Sequence, residues 1–249
     1  MDIQKTYGWK RDLPDDRDFI FKFVRAVTLP SSIDLRPGCS AIEDQGNLGS
    51  CTSQAAVGAL EYMCIKDGVT FLDLSRLFVY YNTRVIENTV RYDDGASLRN
   101  TVKALAKQGA CKETLWPYII KQFNIKPRAD CYTDGIKRTI VSYSRLFTLN
   151  DMKSCLASSF PFICGISLYE SFEFTQVGKT GIVNMPTSRE KMLGGHAIMI
   201  VGYDDKTSRF IGRNSWGNSW GMHGYFTIPY KYITNFGADF WVIRTGNEI

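Results

Sequence analysis

A cysteine, a histidine and an asparagine follow one another in an order that suits thiol chemistry. Cys51 comes first, His196 about 145 residues later, and Asn214 about 18 residues beyond that. A thiolate is a strong nucleophile, but a free cysteine with a pKa of ~8.5 is mostly protonated at neutral pH. A neighbouring imidazole can take the proton, and the cation so formed steadies the thiolate. An amide side chain can then fix the imidazole in one orientation without adding charge. The three residue types supply nucleophile, base and orienter for acyl transfer.

The flanks of Cys51 fit that chemistry. Gln45-Gly46-Asn47-Leu48-Gly49-Ser50 reads as a tight loop, and beyond Cys51 apolar residues recur at Ala55, Ala56, Ala59, Leu60, Met63 and Cys64. That spacing predicts a helix. Cys51 then stands at its N-terminus, where unpaired N–H groups and the dipole favour a thiolate. Gln45 can turn an amide N–H toward the oxyanion formed on attack, with the Cys51 backbone N–H as second donor. Taken singly, each residue has a plainer role. Cys51 can be a small buried hydrophobe, His196 a structural histidine on a strand, Asn214 a turn residue, and Gly95 an ordinary turn glycine. His223, in Gly221-Met222-His223-Gly224, reads as a loop residue.

Four blocks carry a family resemblance. They are Leu29-Pro30-Ser31-Ser32-Ile33-Asp34-Leu35-Arg36, the run Gln45 to Gln54, the run Gly194-Gly195-His196 to Tyr203, and Arg213 to Gly221 with its doubled Asn-Ser-Trp-Gly. Together they resemble the papain-like (cathepsin-type) cysteine peptidases. A signature of those enzymes spaces histidine and asparagine ~130–150 residues after the cysteine. His196 falls inside that interval and Asn214 somewhat beyond it.

The resemblance implies an α+β, two-lobe fold with a helical lobe, an antiparallel β-rich lobe and a cleft between them. It implies an endopeptidase that forms a thioester on Cys51, with His196 as base and acid, Asn214 as orienter and Gln45 in the oxyanion hole. Trp216 would shield the Asn214–His196 bond, and Trp220 would line the leaving-group side, unless both simply pack the core. Gly95 matches the glycine that pairs with substrate backbone. Gly194 and Gly195 leave room in the pocket for the second residue before the scissile bond, whose floor is expected near Asp239 to Trp241. No metal or cofactor is called for. The sequence also departs from the family. Leu48 stands where a cysteine is usual, Thr52 where an aromatic is usual, and Asp93-Asp94-Gly95-Ala96-Ser97 where a Cys-Asn-Gly-Gly run is expected. The disulfide that staples this region in the family is therefore not expected.

Two other classes compete. One is a different thiol acyl-transfer enzyme, such as an arylamine acetyltransferase or a transglutaminase. Those usually orient the histidine with aspartate, against which Asn214 speaks. The other is a non-catalytic binding protein on the same scaffold, against which the intact Gln45, Cys51, His196 and Asn214 speak.

The composition narrows the partners. The net charge of +5 is spread along 249 residues, and the densest basic stretch, Lys121 to Arg138, is interrupted by Asp130 and Asp134. That reads as a solvated surface rather than a nucleic-acid site. Seven cysteines without a Cys-x-x-Cys pair, and only two histidines, do not make a zinc site. Cys64 and Cys164 lie in apolar runs and read as small buried hydrophobes. Reduced thiols are the reading. The N-terminus shows no signal peptide, no apolar stretch approaches the ~20 residues that span a bilayer, and there is no Asn-x-Ser/Thr sequon. The expectation is an intracellular or packaged monomer acting on protein or peptide, with neither nucleic acid nor membrane as partner.

Residues 1–28 precede the mature-like start at Leu29. Trp9, Phe19, Ile20, Phe21, Phe23 and Val24 make them too apolar for a free tail. They read either as a strap packed on the body or as a pro-like segment across the cleft that keeps the enzyme latent. Residues 29–249 form the peptidase domain, with a helical lobe at about 45–135 and a β-rich lobe at about 136–249. Further helices are predicted at Leu72–Tyr81, with Ser75 as cap or first-turn residue, at Ser97–Gln108, ended by Gly109, and near Asn150–Ala157. Strands are predicted at Thr139–Phe147, Phe162–Leu168, Ala197–Tyr203, Phe210–Arg213, Tyr225–Ile228 and Phe240–Arg244, with a turn at 204–208.

Overall fold

The helix that begins at Cys51 has no polar face. In the computed structural model, which describes residues 6–21, 29–69 and 73–246, every residue from Cys51 to Met63 is buried. A helix covered all round belongs at the centre of a molecule, and this one lies where the two lobes meet. The elements before it are β1 (Trp9–Lys10) and β2 (Ser32–Asp34), and α1 itself runs Cys51–Lys66. The helical lobe continues with α2 (Arg76–Glu87), β3 (Ala96–Ser97), α3 (Leu98–Gln108) and α4 (Ala129–Gly135). The β-rich lobe holds β4 (Ser142–Arg145), α5 (Leu149–Ala157), β5 (Phe162–Tyr169), α6 (Thr175–Thr180) and β6 (Met192–Asp204). It ends with β7 (Arg209–Arg213), β8 (Tyr225–Pro229), α7 (Tyr230–Phe236) and β9 (Gly237–Arg244).

Local chemistry sets the helix ends. Ser75 caps α2 by accepting the Phe78 N–H at 3.1 Å, and its own hydroxyl donates to the Trp116 carbonyl at 2.6 Å. The helix thus starts after Ser75; Leu72, where the sequence pattern begins, lies outside the described residues. Ser97 caps α3, and Gly109 ends it at φ +65°. A Cβ at Gly109 would also stand 2.0 Å from the Gly135 carbonyl oxygen, so only glycine fits. One ion pair is sealed between α1 and α2. Arg76 meets Glu61 at 2.8 Å, and Glu61 also accepts from the Ser40 hydroxyl at 2.6 Å and the Leu74 N–H at 2.9 Å.

The seven-stranded sheet has the path β4-β9-β5-β6-β7-β8, with β2 joining the far half of β6. Every pair in it is antiparallel. β6 is longer than its apolar run. Residues from His196 to Tyr203 are buried on both faces and read clearly as strand, whereas Met192 to Gly195 pair with β5 at the exposed cleft rim. β2 is a second surprise. It lies ahead of the helical lobe in sequence yet pairs with Gly202 to Asp204 in the other lobe. The chain therefore starts its body in the β-rich lobe before crossing to the helices. α7 reads Tyr-Lys-Tyr-Ile-Thr-Asn-Phe, poor in helix formers. Tertiary anchoring holds it, with the Tyr232 hydroxyl donating to the Ser167 carbonyl at 2.9 Å.

Among the described residues, which include all seven cysteines, none forms a disulfide. Cys164 is buried as expected. Cys64 is only half-buried, because it falls at the end of α1 where the helix emerges from cover. No described helix is long and apolar enough to cross a membrane.

Candidate active site

The loop before α1 is clamped on both sides. Asp93 accepts the Gly49 N–H on both carboxylate oxygens at 3.0 Å and also accepts a hydrogen bond from the Tyr80 hydroxyl. Leu48 is buried beside it. This carboxylate ties together the two stretches where the family disulfide was not expected. On the other side Tyr118 donates to the Gln45 carbonyl at 3.0 Å and meets the Ser50 hydroxyl at 2.6 Å. Neither Asp93 nor Tyr118 stood out in the sequence as a partner of this loop, although Asp93 belongs to the run that departs from the family pattern.

The clamped loop delivers Gln45 and Cys51. The Gln45 side chain is fully buried, and Ser215 donates its hydroxyl to Gln45 Oε1 at 2.7 Å. That fixes the amide, so its Nε2 points the other way, donating to the Leu48 carbonyl at 2.9 Å and to the Thr6 carbonyl at 3.3 Å. Cys51 is the first residue of α1, with no exposed surface.

His196 sits on β6 with its Nε2 2.8 Å from Asn214 Oδ1. The Ser215 N–H donates to that same oxygen at 2.9 Å. A backbone N–H can only donate, so the Asn214 atom it meets is the oxygen, and the His196 Nε2 that shares it carries the proton. Trp216 covers this bond with its ring centroid 5.0 Å from that of His196. Trp220 stacks on Phe172 at 5.7 Å and meets Trp216 edge-on at 5.3 Å. Both indoles are buried in this aromatic cluster, so Trp220 packs behind Trp216 in the core. The Asn214 loop is knitted to the Gln45 loop by Gln45 N to Ser215 O at 2.9 Å and Gly217 N to Glu43 O at 3.0 Å. His223 lies in a left-handed turn at φ +53°.

The residues from the two lobes meet at sulfur. The backbone N–H of Ala197, the neighbour of His196, reaches the Cys51 sulfur, as do those of Thr52 and Cys51 itself. A fourth N–H comes from Gly8 in the N-terminal segment. The sequence reading expected the helix N-terminus to favour a thiolate. Instead burial pushes the Cys51 thiol up to about 11, against the smaller opposing pull of those N–H groups. Part of the cover over it comes from the N-terminal segment, whose Gly8 N–H reaches the sulfur.

That part of the cover is the chain's own residues 6–12. The Thr6 hydroxyl donates to the Asn47 carbonyl at 2.9 Å, and Tyr7 bonds Glu173 through its hydroxyl. Gly8 accepts the Ala96 N–H at 2.7 Å, and β1 pairs with β3 in parallel. At Gly95, φ is +72° and a Cβ would stand 2.1 Å from the Gly8 carbonyl oxygen, so glycine is what lets the segment approach. The Trp9 ring lies against Gly165 and Gly195, and its Nε1 donates to Asp239 Oδ2 at 3.1 Å. Farther along, Asp12 is sunk among the Arg99 N–H at 3.0 Å, the Trp241 Nε1 at 2.8 Å and Arg145 at 3.4 Å. Asp18 pairs with Arg99 at 2.6 Å. Asp12, Asp18, Arg99 and Arg145 escaped the sequence reading, since nothing local marks charges that pair across 80 or more residues.

No metal-binding cluster of histidine, cysteine or carboxylate occurs among the described residues. Comparison with known proteins gives a consistent picture. The family model described as papain family cysteine protease matches residues 29–239. An uncharacterized peptidase C1-like protein of Acanthamoeba polyphaga mimivirus is 38% identical, over 97% of this chain and 88% of its own. The cathepsin B-like CP3 of Giardia intestinalis is 30% identical over 82% of this chain and 71% of its own. Among solved structures, xylellain, a cysteine protease from Xylella fastidiosa, superposes with a TM-score of 0.90 at 39% identity, covering 98% of this chain and 97% of that one. With the two-lobe fold and a cleft that brings a cysteine, a histidine and an asparagine from distant parts of the sequence together, the chain belongs to the papain family of cysteine proteases and is a thiol peptidase.

Proposed function

We propose that Cys51, His196, Asn214 and Gln45 carry out peptide hydrolysis, and that the full-length chain is a latent endopeptidase. The observation that carries the reading is the shared cleft. The Cys51 sulfur is touched by the N–H next to His196, while the far side of the His196 ring is held by Asn214. In the reaction the thiol proton passes to His196 Nδ1, and the sulfur attacks the scissile carbonyl carbon. The tetrahedral oxyanion accepts N–H bonds from Gln45 Nε2 and the Cys51 backbone. It collapses to a thioester as His196 protonates the leaving amine. His196 then takes a proton from water, which attacks the thioester and frees the acid and the thiol. The amide orienter suits this cycle, because it steadies both neutral and protonated imidazole. Trp216 keeps water off the His196–Asn214 bond. Trp220 supports Trp216 from behind. Gly95 and Gly195 leave room for substrate where Gly8 and Trp9 now lie. The enzyme works as a monomer on peptide or protein.

Latency follows from how residues 6–9 fill the cleft. The Gly8 N–H points at the sulfur, so the segment occupies the place a substrate would take. The Thr6 carbonyl takes the Gln45 amide that an oxyanion would need. In this reading residues 1–28 act as a pro-like segment and 29–249 as the peptidase body. Treatment with a peptidyl epoxide, before and after removal of the segment, tests it. Adducts should map to Cys51 and form at least tenfold faster once the segment is gone, and Cys51→Ala should abolish hydrolysis while the fold persists. An adduct on another cysteine, or hydrolysis by the alanine variant, would sink the assignment. Equal rates with and without the segment would leave it a structural strap.

A further inference from the structure

Two buried amide atoms behind the His196–Asn214 pair have no hydrogen-bond partner among the described residues. One is Asn214 Nδ2, a donor, on the residue that follows β7. The other is Gln54 Oε1, an acceptor, three residues beyond Cys51 on α1. Asn214 is 3% exposed and Gln54 5%, so bulk water does not serve them. The Asn214 amide cannot be turned over, because its Oδ1 is fixed by the Ser215 N–H and the His196 ring. Gln54 spends its Nε2 on the Ser50 hydroxyl at 3.4 Å, which leaves Oε1 to find a donor elsewhere. Both residues border one small cavity, with about 10 Å³ open to the centre of a water molecule. That is room for one water. The other polar walls are Glu43, Arg213 and Ser215. The Ser215 hydroxyl is already given to Gln45, and Arg213 donates to the Ser40 and Ala41 carbonyls. The Glu43 carboxylate, 3.5 Å from Arg76, has acceptor capacity to spare.

We propose that this cavity binds a single water, and that Gln54, acting through that water, is a positioning residue for the His196–Asn214 pair. The water accepts the Asn214 Nδ2–H. It donates one hydrogen to Gln54 Oε1 and the other toward the Glu43 carboxylate. Three polar partners are the usual complement of a buried water. Without it, a donor and an acceptor stay buried and unmatched beside one cavity, which is costly.

The proposal rests on the reading of Asn214 as orienter of the base and adds the group that holds the orienter. The last torsion of an asparagine side chain is soft. Two donors grip the Oδ1 end of the Asn214 amide. A grip on the Nδ2 end stops the amide plane from swinging and carrying Oδ1 off the His196 Nε2–H. Gln54 is well placed for this, because residues three apart share a helix face. One stretch of α1 thus presents Cys51 and, one turn on, the residue that steadies the partner of His196. The nucleophile and the orientation of its base are tied to the same rigid element.

The reporter is the His196 Nε2–H, which can be read in the full-length chain. Proton NMR with isotope-labelled histidine gives the rate at which that ring proton exchanges with water. Gln54→Leu keeps an apolar filling of similar size but offers no oxygen, and it should speed the exchange by about tenfold or more. Gln54→Glu keeps an acceptor oxygen, protonated or not, and should bring the rate back near the parent's. After removal of the N-terminal segment, Gln54→Leu should lower kcat with little change in KM, because the amide lies behind the base and away from substrate. A high-resolution crystal structure of the unaltered chain should show one water within hydrogen-bond distance of both Asn214 Nδ2 and Gln54 Oε1. Unchanged exchange in Gln54→Leu, an equal rise in Gln54→Glu, an effect confined to KM, or a crystal structure without that water would each overturn the proposal. A parent chain that hydrolyses no peptide after loss of the segment counts against the peptidase reading instead, and the ring proton and the crystal then decide the water site alone.

Discussion

The body of the molecule and the segment that crosses its cleft are held by different forces. Around α1 the side chains from Cys51 to Met63 vanish into one continuous core, where area removed from water dominates. Residues 6–18 make few such contacts. Trp9 is half-buried, Leu13 is 80% exposed, and the segment hangs on Trp9 and on Asp12 and Asp18 against Arg99 and Arg145. A non-directional apolar core is lost only by unfolding. A handful of polar anchors can be lost one at a time. On the proposed reading, this contrast is what would let the cover leave without taking the fold with it.

The most damaging change should fall on the most deeply buried ion pair described in the body. Glu61 and Arg76 are both almost fully buried, and Glu61 is the nearest and most deeply buried of the three carboxylates around Arg76, which also meets Asp73 at 2.9 Å and Glu43 at 3.5 Å. Glu61→Ala should cost ~3 kcal/mol in chemical denaturation, the low end for breaking a buried pair, because Asp73 and Glu43 still offset part of the Arg76 charge. A loss under ~1 kcal/mol would mean the body is not as tightly sealed as the burial implies. Next in size is Gln45→Ala, which touches both regions through its bonds to Leu48 and Thr6. After removal of the segment, turnover should fall by roughly 10²–10³, the range for one lost oxyanion donor. Asn214→Ala should fall less, since it orients the base and moves no proton. A Gln45→Ala effect confined to KM would remove the oxyanion role.

The anchors of the segment come third. Trp9→Ala in the full-length chain removes the ring from its pocket and the bond to Asp239, and should raise basal hydrolysis about tenfold, equivalent to ~1.4 kcal/mol. Its melting temperature should move by less than about 4 °C, the scale for ~1 kcal/mol in a chain of this size. A large melting shift without any gain in activity would make the segment part of the body after all.

How much of this was legible beforehand divides along the same line. The Cys51 helix announced itself because apolar spacing and a glycine-rich approach are local signals. So did the fully covered stretch of β6 and the Ser97 and Gly109 ends of α3. The placement of Gln45, His196 and Asn214 at the cleft was legible through the resemblance. What stayed hidden depends on partners distant in sequence: Asp93 on Gly49, Tyr118 under Gln45, β2 on β6, and the Asp12–Arg99–Arg145–Asp239 group. Short elements such as α7 stayed hidden too, since tertiary bonds override their propensity. The N-terminal segment was recognised as too apolar to float, but composition alone could not choose between strap and cover.

The smallest expected effect concerns pH, and it asks whether acid would separate the two regions. Burial, with Asp239 nearby, raises the Asp12 pKa above the ordinary carboxylate value. A carboxyl raised on folding contributes stability that is present at low pH and lost as pH climbs through its folded value. Acid therefore does not loosen the Asp12 anchor. The body contains a carboxylate with the same sign. Burial pushes Glu113 up to about 7, and its Oε1 accepts the Tyr118 N–H beneath the Gln45 loop. Its contribution is complete below the unfolded value of ~4.3 and disappears as pH rises through 7. Glu113→Gln keeps the acceptor for Tyr118 but cannot ionise. After allowance for solvent screening, the variant should be about 1 kcal/mol more stable than the parent at pH 8 and nearly equal at pH 4.5. Denaturation at those two pH values reads the difference. A variant less stable at pH 8 would show that the ionised carboxylate is held by something other than Tyr118.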